Sequence, residues 1–132
     1  MSYPYIVSDS FARIKAAISF KKPGVVIKRS KFMLSILKFL LNEGYINGFK
    51  IINSEYIYVI LKYSSGSSII RTLKVISTPG RRLYLSLNRL NQFMTNRKYL
   101  GEHYVVSTSK GIWTLTKCLY LRRGGELLFK IQ

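Results

Sequence analysis

Cysteine and histidine each occur once, as Cys118 and His103. A lone thiol cannot close an internal disulfide, and one thiol with one imidazole cannot build a structural zinc site. Neither a metal nor any other cofactor is therefore expected. Acid is equally scarce, because Asp9, Glu43, Glu55, Glu102 and Glu126 are the only carboxylate side chains and no two lie close enough in sequence to suggest paired acid and base work. Catalysis has few players, and an enzyme is not expected. Long hydrophobic runs are missing too. The longest, residues 32–41, is interrupted by Ser35 and Lys38 and falls short of the about 20 residues that cross a bilayer, so no membrane insertion is expected. The cations are spread along the chain and do not line one amphipathic helix, which argues against a seat on anionic lipid. Residues 1–9 have neither a basic start before an apolar run nor an Arg- and Ser-rich character, so no cleavable leader is expected.

What is abundant is positive charge. In 132 residues, 22 Lys and Arg face 5 Asp and Glu, for a net charge of +17, which points to a polyanionic partner. Hydrophobic residues make up 48% and aromatics 14%, far too much for a disordered basic tail. A chain of this length forms one domain or two small subdomains.

The periodicity predicts a helix from Ser10, with Phe11, Ile14, Ala17 and Ile18 on one stripe and Ser8 or Asp9 as cap. Lys21-Lys22-Pro23-Gly24 breaks it, and a short strand over 25–28 follows. Ser30 caps a second helix whose apolar face is Met33, Ile36, Leu37, Leu40 and Leu41, ending at Gly44. Strands are expected over 49–52, 56–63 and 69–76, the last two joined as a hairpin by Ser64-Ser65-Gly66-Ser67-Ser68. Pro79-Gly80 suits a type II turn and marks a subdomain boundary. Beyond it come a strand over 81–85, a short helix over 87–94, a basic loop over 95–99, strands over 104–106 and 112–113, a short helix over 116–120 and a last strand over 127–131. The fold expected is α+β, in two small subdomains. Residues 1–76 form N-terminal helices packed on a small sheet, and residues 77–132 a mainly antiparallel sheet with short helices.

Two clusters stand out. Val105-Val106-Ser107-Thr108-Ser109-Lys110-Gly111 offers three hydroxyls, a mobile cation and close backbone approach, which suit phosphate, ribose and base edges. A capped hairpin turn accounts for the same residues. The segment is not a nucleotide-binding P-loop, because its lysine precedes the only glycine and strand-like residues follow. A serine nucleophile fails for want of a histidine–carboxylate pair. In Thr78-Pro79-Gly80-Arg81-Arg82-Leu83-Tyr84 a rigid turn projects two guanidinium groups and a tyrosine suited to phosphate contact and stacking. A solvated basic turn with Tyr84 half-buried is the alternative. Lys21-Lys22, Lys28-Arg29-Lys31, Arg97-Lys98 and Arg122-Arg123 sit in loops or at element ends, forming several patches and favouring an extended, structured anion. Phe49, Tyr56, Tyr58, Tyr63 and Trp113 are expected in the core or sheets. Cys118 is expected to be a buried small hydrophobe, and His103 a surface loop residue.

Taken in order, residues 6–18 and 30–49, Leu61-Lys62-Tyr63, residues 77–84 and residues 105–131 resemble bacterial-type ribosomal protein S8, a family of primary binders of small-subunit ribosomal RNA. The Ser-Thr-Ser-Lys-Gly segment and Gly124-Gly125-Glu126-Leu127-Leu128 are its most specific parts, and Arg13-Ile14-Lys15 and Glu43-Gly44-Tyr45-Ile46 resemble the two N-terminal helix regions. The resemblance implies binding to an irregular stem in the central domain of the RNA, read by shape. It implies that Ser107, Thr108 and Ser109 contact distorted bases and sugars, that Lys110 contacts a phosphate, and that Tyr84 meets the RNA near the turn. Glu126 would be an anchoring acceptor. Gly111, Arg81, Arg82, Lys31 and Arg13 complete the expected RNA-binding set, with neighbouring small-subunit proteins as further partners and no obligate homo-oligomer.

The chain departs from the family after Gly111: the acidic helix start that follows the position of Thr114 in bacterial members gives way to Leu115-Thr116-Lys117-Cys118-Leu119, which puts the helix cap in question. Residues 95–104 look lengthened, with Arg97 and Lys98 as added contacts for RNA or a neighbouring protein. Phe, Tyr, Met, Ile, Asn and Lys number 54 against 24 for Gly, Ala, Arg and Pro, a bias expected of an AT-rich genome. The expected location is the mitochondrial ribosome, with a bacterial cytoplasm or a plastid as alternatives. The expected function is that of a structural constituent of the small subunit that binds rRNA and supports assembly and translation. A basic nucleic-acid-compacting or peripheral membrane protein is the alternative, and selectivity for one RNA stem separates the two.

Overall fold

Val7, Phe11, Ile14 and Ala17 recur at helical spacing and are all buried along one side of α1, Tyr3–Ser19. The helix starts well before Ser10. Ser8 and Asp9 are therefore inside it and do not cap it, and the Asp9 carboxylate accepts from Arg13 Nε one turn on, at 3.2 Å. The computed structural model describes residues 3–77, 80–97 and 103–132. It divides into two units, one running to Arg71 and the other starting at Thr72.

In the first unit, α1 is followed by β1 (Gly24–Lys28), α2 (Lys31–Asn42), β2 (Ile46–Ile51) and β3 (Tyr56–Leu61). The strands form an antiparallel sheet in the order β1-β3-β2. Ser30 caps α2, its hydroxyl accepting the Met33 N–H at 3.0 Å, and the helix ends against Gly44 at φ +83°. Met33, Ile36, Leu37, Phe39 and Leu40 are buried, whereas Leu41, expected on that face, is 40% exposed. The packed stripe turns toward Phe39 instead. Along β3 the alternation is strict: Ile57, Val59 and Leu61 are buried, and Tyr56, Tyr58 and Ile60 face outward. Lys62 Nζ donates to the Gly44 carbonyl at 3.4 Å, a cation at the C-terminal end of α2.

The serine-rich hairpin exists but is much shorter than expected. β4 (Tyr63–Ser64) pairs with β5 (Ser67–Ser68), and Ser65 and Gly66 both take positive φ, 52° and 81°, which is the two-residue turn that matches strand twist. The expected long partner strands do not pair with each other, because β3 is already flanked by β1 and β2. Residues 69–72 are irregular, and β6 (Leu73–Val75) joins the second unit by pairing with the C-terminal strand. The division therefore falls before Thr72, not after Ile76.

The second unit continues with β7 (Tyr84–Leu85), α3 (Leu87–Arg97), β8 (His103–Thr108), β9 (Gly111–Thr114), α4 (Leu115–Tyr120) and β10 (Gly125–Ile131). Its antiparallel sheet runs β6-β10-β8-β9, with β7 also on β10. A bulge between Leu127 and Phe129 lets two residues of β10 oppose one of β8. On one face Leu90, Tyr104, Val106, Leu115, Cys118 and Leu127 form a core between the sheet and the two helices. The cap of α4 is intact without an acidic start, because the Thr114 hydroxyl accepts the Lys117 N–H at 3.2 Å. Thr95, Asn96 and Arg97 belong to α3 and not to a loop; Lys98 and the rest of residues 98–102 lie outside the described residues, as do Thr78 and Pro79 of the expected turn. His103 is exposed, as expected, but starts a strand. Cys118 is buried, and that burial pushes its thiol pKa up to about 11 against a weaker downward pull from Lys117.

Candidate nucleic-acid interface

Strand register assembles the candidate site. β10 lies between β7 and β8 so that Glu126 is opposite Tyr84 on one side and Ser107 on the other, and Ser107 in turn is opposite Ile112. Directly opposed residues of antiparallel strands share a face, so Tyr84, Glu126 and Ser107, distant in sequence, form one row. Tyr84 is 61% exposed, Ser107 half-buried and Glu126 only 5% exposed. The row thus sets a buried carboxylate between an open aromatic ring and a hydroxyl.

Gly124 and Gly125 make this spacing possible. A Cβ on Gly125 would press into the Ser107 carbonyl, and one on Gly124 would meet the Leu85 carbonyl at 2.7 Å. Any side chain there would push β10 away from β8 or β7 and pull the row apart. The glycine pair was legible only as part of a motif, and its close approach to two backbones is a property of the paired strands.

β8 and β9 are joined by the two residues Ser109 and Lys110, with Thr108 opposite Gly111. Both polar functions of Thr108 serve this turn: its hydroxyl donates to the Gly111 carbonyl at 2.8 Å and accepts the Lys110 N–H at 3.2 Å. Gly111 has φ +136°, a conformation suited to glycine. Ser107 and Thr108 are therefore strand residues and not loop residues, and the tip presents Ser109 and Lys110, both exposed. For Thr108 the capped-turn reading accounts for the hydroxyl; Ser107, Ser109 and Lys110 keep their groups near the surface.

The basic turn divides between the two faces of the sheet. Leu83 and Leu127 point away from Tyr84 and Glu126 by strand alternation, and Arg81 lines the concavity on that other side with Leu83 and Leu127. Arg81 is thus separated from the Tyr84–Glu126–Ser107 row, whereas Arg82 is exposed beside it in sequence. Ser77 anchors the segment. Its buried hydroxyl donates to the Leu127 carbonyl at 2.7 Å and accepts the Leu83 N–H at 3.1 Å. Lys31, the first residue of α2, and Arg13, on α1 and paired with Asp9, are exposed in the first unit. An exposed pair of this kind leaves the Arg13 charge largely available.

Sequence reasoning missed three features. Lys74 and Lys130 are directly opposed across β6 and β10, a pairing that only register reveals. Tyr120 is highly exposed next to Arg122 and Arg123, and Lys117 Nζ sits 5.1 Å from the centre of the Trp113 ring. Among the described residues no group of His, Cys, Asp and Glu side chains could hold a metal ion, and no helix is long and apolar enough to cross a membrane.

The comparisons agree with one another. Residues 6–132 match the family model for ribosomal protein S8. The small ribosomal subunit protein uS8m of Acanthamoeba castellanii is 35% identical over 127 residues, covering 96% of this chain and 98% of the relative. Small ribosomal subunit protein uS8 of Bartonella bacilliformis is 39% identical, covering 99% of each chain, and that of Xylella fastidiosa 40%, covering 97% of each. With a family match from residue 6 to the end and relatives of matching length, the chain belongs to the ribosomal protein S8 family, structural proteins of the small ribosomal subunit and not enzymes.

Proposed function

We propose that the protein binds the central domain of small-subunit ribosomal RNA directly, through the face bearing Tyr84, Glu126 and Ser107 and the adjoining Ser109-Lys110 turn. The observation that carries this reading is the row of Tyr84, Glu126 and Ser107 across three strands. An exposed ring, a fixed acceptor and a hydroxyl at sheet spacing can stack on an unpaired base and hydrogen-bond its edges or sugar, which is how irregular RNA is read. Ser109 extends the hydrogen-bonding edge, Lys110 and Arg82 meet phosphates, and Thr108 and Gly111 hold the turn. Arg13 and Lys31 supply phosphate contacts from the first unit. The net charge of +17 provides the sequence-independent attraction.

The protein works within the small subunit, beside other ribosomal proteins and not as an obligate homo-oligomer, and supports assembly and translation. Its location is the mitochondrial ribosome, supported by the uS8m relative and by the AT-biased composition. A gene in a nuclear or bacterial genome would overturn that placement.

Direct binding is tested with purified protein, its cognate rRNA stem and a random duplex of equal length. Selective binding to the stem is expected, with both affinities falling as salt rises. Equal affinity for every polyanion would replace this reading with non-specific nucleic-acid compaction.

A further inference from the structure

Ile57 and Val59 of β3 point into the core of the first unit, so Tyr58 between them points to the other face of the sheet. Strand register puts Val26 of β1 and Lys50 of β2 directly opposite Tyr58, one row across all three strands. Val26 is 41% exposed, Tyr58 half-buried and Lys50 exposed. Gly24 lets the Tyr58 ring lie across β1, because a Cβ there would overlap the ring and its hydroxyl.

The turn from α1 into β1 brings a second ring to this edge. The Lys22 N–H donates to the Ala17 carbonyl at 2.9 Å and the Lys21 N–H to the Ile18 carbonyl at 3.0 Å, while Lys21 takes the left-handed φ of +54° that closes a helix. The Tyr63 hydroxyl donates to the Lys22 carbonyl and ties the turn to β4. Held this way, Phe20 is 75% exposed. Phe20, Gly24, Val26 and Tyr58 line a concavity of about 410 Å³, to which Arg13 and Lys22 bring positive charge. Among the described residues no carboxylate lines it. Asp9 pairs with Arg13 from one turn back, but that exposed pair leaves the charge largely available. Lys22 and Lys50 make no ion pair among the described residues. Two rings and a valine at the surface favour a flat apolar partner, and the cations around them an anionic one. A nucleotide joins a flat ring to a phosphate, whereas an acidic peptide answers the charge alone.

We propose that this concavity is a second RNA site, taking an unpaired nucleotide with its base on Phe20 and Tyr58 and the flanking phosphates at Arg13, Lys22 and Lys50. The proposal deepens the RNA-binding reading and rests on it for the source of the ligand, a single-stranded stretch of the ribosomal RNA. The volume is within the range of small-molecule sites, roughly 300–1,000 Å³. The site also gives the exposed Phe20 ring a role, since neither the core of the first unit nor the Tyr84–Glu126–Ser107 row uses it.

The test is an amide-resolved NMR titration of the full chain with a short oligouridine, an abasic oligonucleotide of the same length and a glutamate-rich peptide in turn. Oligouridine is expected to shift the Gly24, Val26 and Tyr58 amides saturably, and to bind there more tightly than the abasic strand. Phe20→Ala should weaken that binding by about fivefold or more, the loss expected for one base–aromatic stack, and Phe20→Tyr should restore it. Because Phe20 lies at the surface, neither variant should lower the melting temperature appreciably. Lys22→Ala with Lys50→Ala should weaken the oligouridine and the abasic strand alike. No shifts at these amides, an abasic strand binding as tightly as oligouridine, an unaffected Phe20→Ala or lysine pair, no rescue by Phe20→Tyr, or tighter binding of the peptide would each overturn the proposal. Ser107→Ala with Ser109→Ala should leave the oligouridine shifts at Gly24 and Val26 intact. Loss of these shifts with stem selectivity retained sinks this site alone, and the converse sinks the stem-binding face alone.

Discussion

Ser77→Ala removes one hydroxyl that ties three segments of the second unit together. Ser77 is 3% exposed, and its Oγ bridges the Leu127 carbonyl of β10 and the Leu83 N–H that leads into β7. Leu127 is fully buried, so its carbonyl loses its side-chain partner where water does not reach, at a cost of about 1–3 kcal/mol. Leu83 lies at the surface, and its N–H regains a water, so that bond costs about 0.5–1 kcal/mol. The backbone bonds from the Ile76 and Ser77 N–H groups to the Leu128 carbonyl survive the change and keep the strand in place. The expected destabilisation is therefore about 1.5–4 kcal/mol, with β7 and Tyr84 loosened first. Urea unfolding followed by fluorescence reads it directly, because Trp113 is the single tryptophan and lies in this unit. Amide exchange at Leu83 should accelerate in parallel. A loss below about 0.5 kcal/mol with unchanged protection of Leu83 would refute the bridging role of this hydroxyl.

Gly125→Ala drives a methyl group into the Ser107 carbonyl and should cost about 1–3 kcal/mol, with NMR shifts concentrated at Ser107, Glu126 and Tyr84. Shifts spread evenly over the chain, or none, would remove the glycine from its spacing role. The Cys118 thiol has its pKa raised in the fold from 9.0 to about 11, chiefly by burial. The fold therefore favours the protonated form; the penalty is absent below about pH 9, where the unfolded thiol starts to ionise, and is complete above about pH 11. Relative to Cys118→Val, the native protein should lose about 1.4 kcal/mol per pH unit across that window, measured by denaturant unfolding at each pH. A constant difference would show that burial does not hold the thiol protonated.

Local signals carried much of the first unit. The Ser30 cap, the Met33–Leu40 stripe and Gly44 are each a short-range pattern with a short-range cause, and each is where the sequence placed it. The early start of α1 was hidden because Ser8 and Asp9 offer good capping chemistry, while Val7 reaches the core only once the helix continues back to it. Strand partners were not legible. Residues 56–63 and 69–76 match in length and flank a turn-rich loop, but β3 finds β1 and β2, and β6 finds β10, because tertiary pairing overrides local proximity. The same limit governs the candidate site. Ser107, Glu126 and Tyr84 were nameable one at a time, but their alignment depends on the β7–β10–β8 register. The transfer of Arg81 to the opposite face and the Lys74–Lys130 opposition depend on strand alternation and register, which a linear reading of charged clusters does not contain.

The division of labour in the Ser109-Lys110 turn is open to one decisive comparison. The ratio of affinities for the cognate stem and a random duplex is measured across a salt series for the native protein, for Ser107→Ala with Ser109→Ala, and for Lys110→Ala. Loss of hydroxyl contacts to bases should reduce the ratio by about tenfold or more while leaving the salt dependence unchanged. Lys110→Ala should weaken both RNAs alike and lower the salt slope by about 1. If Lys110→Ala abolished the preference and the serine pair did not, recognition would not run through the Tyr84–Glu126–Ser107 face.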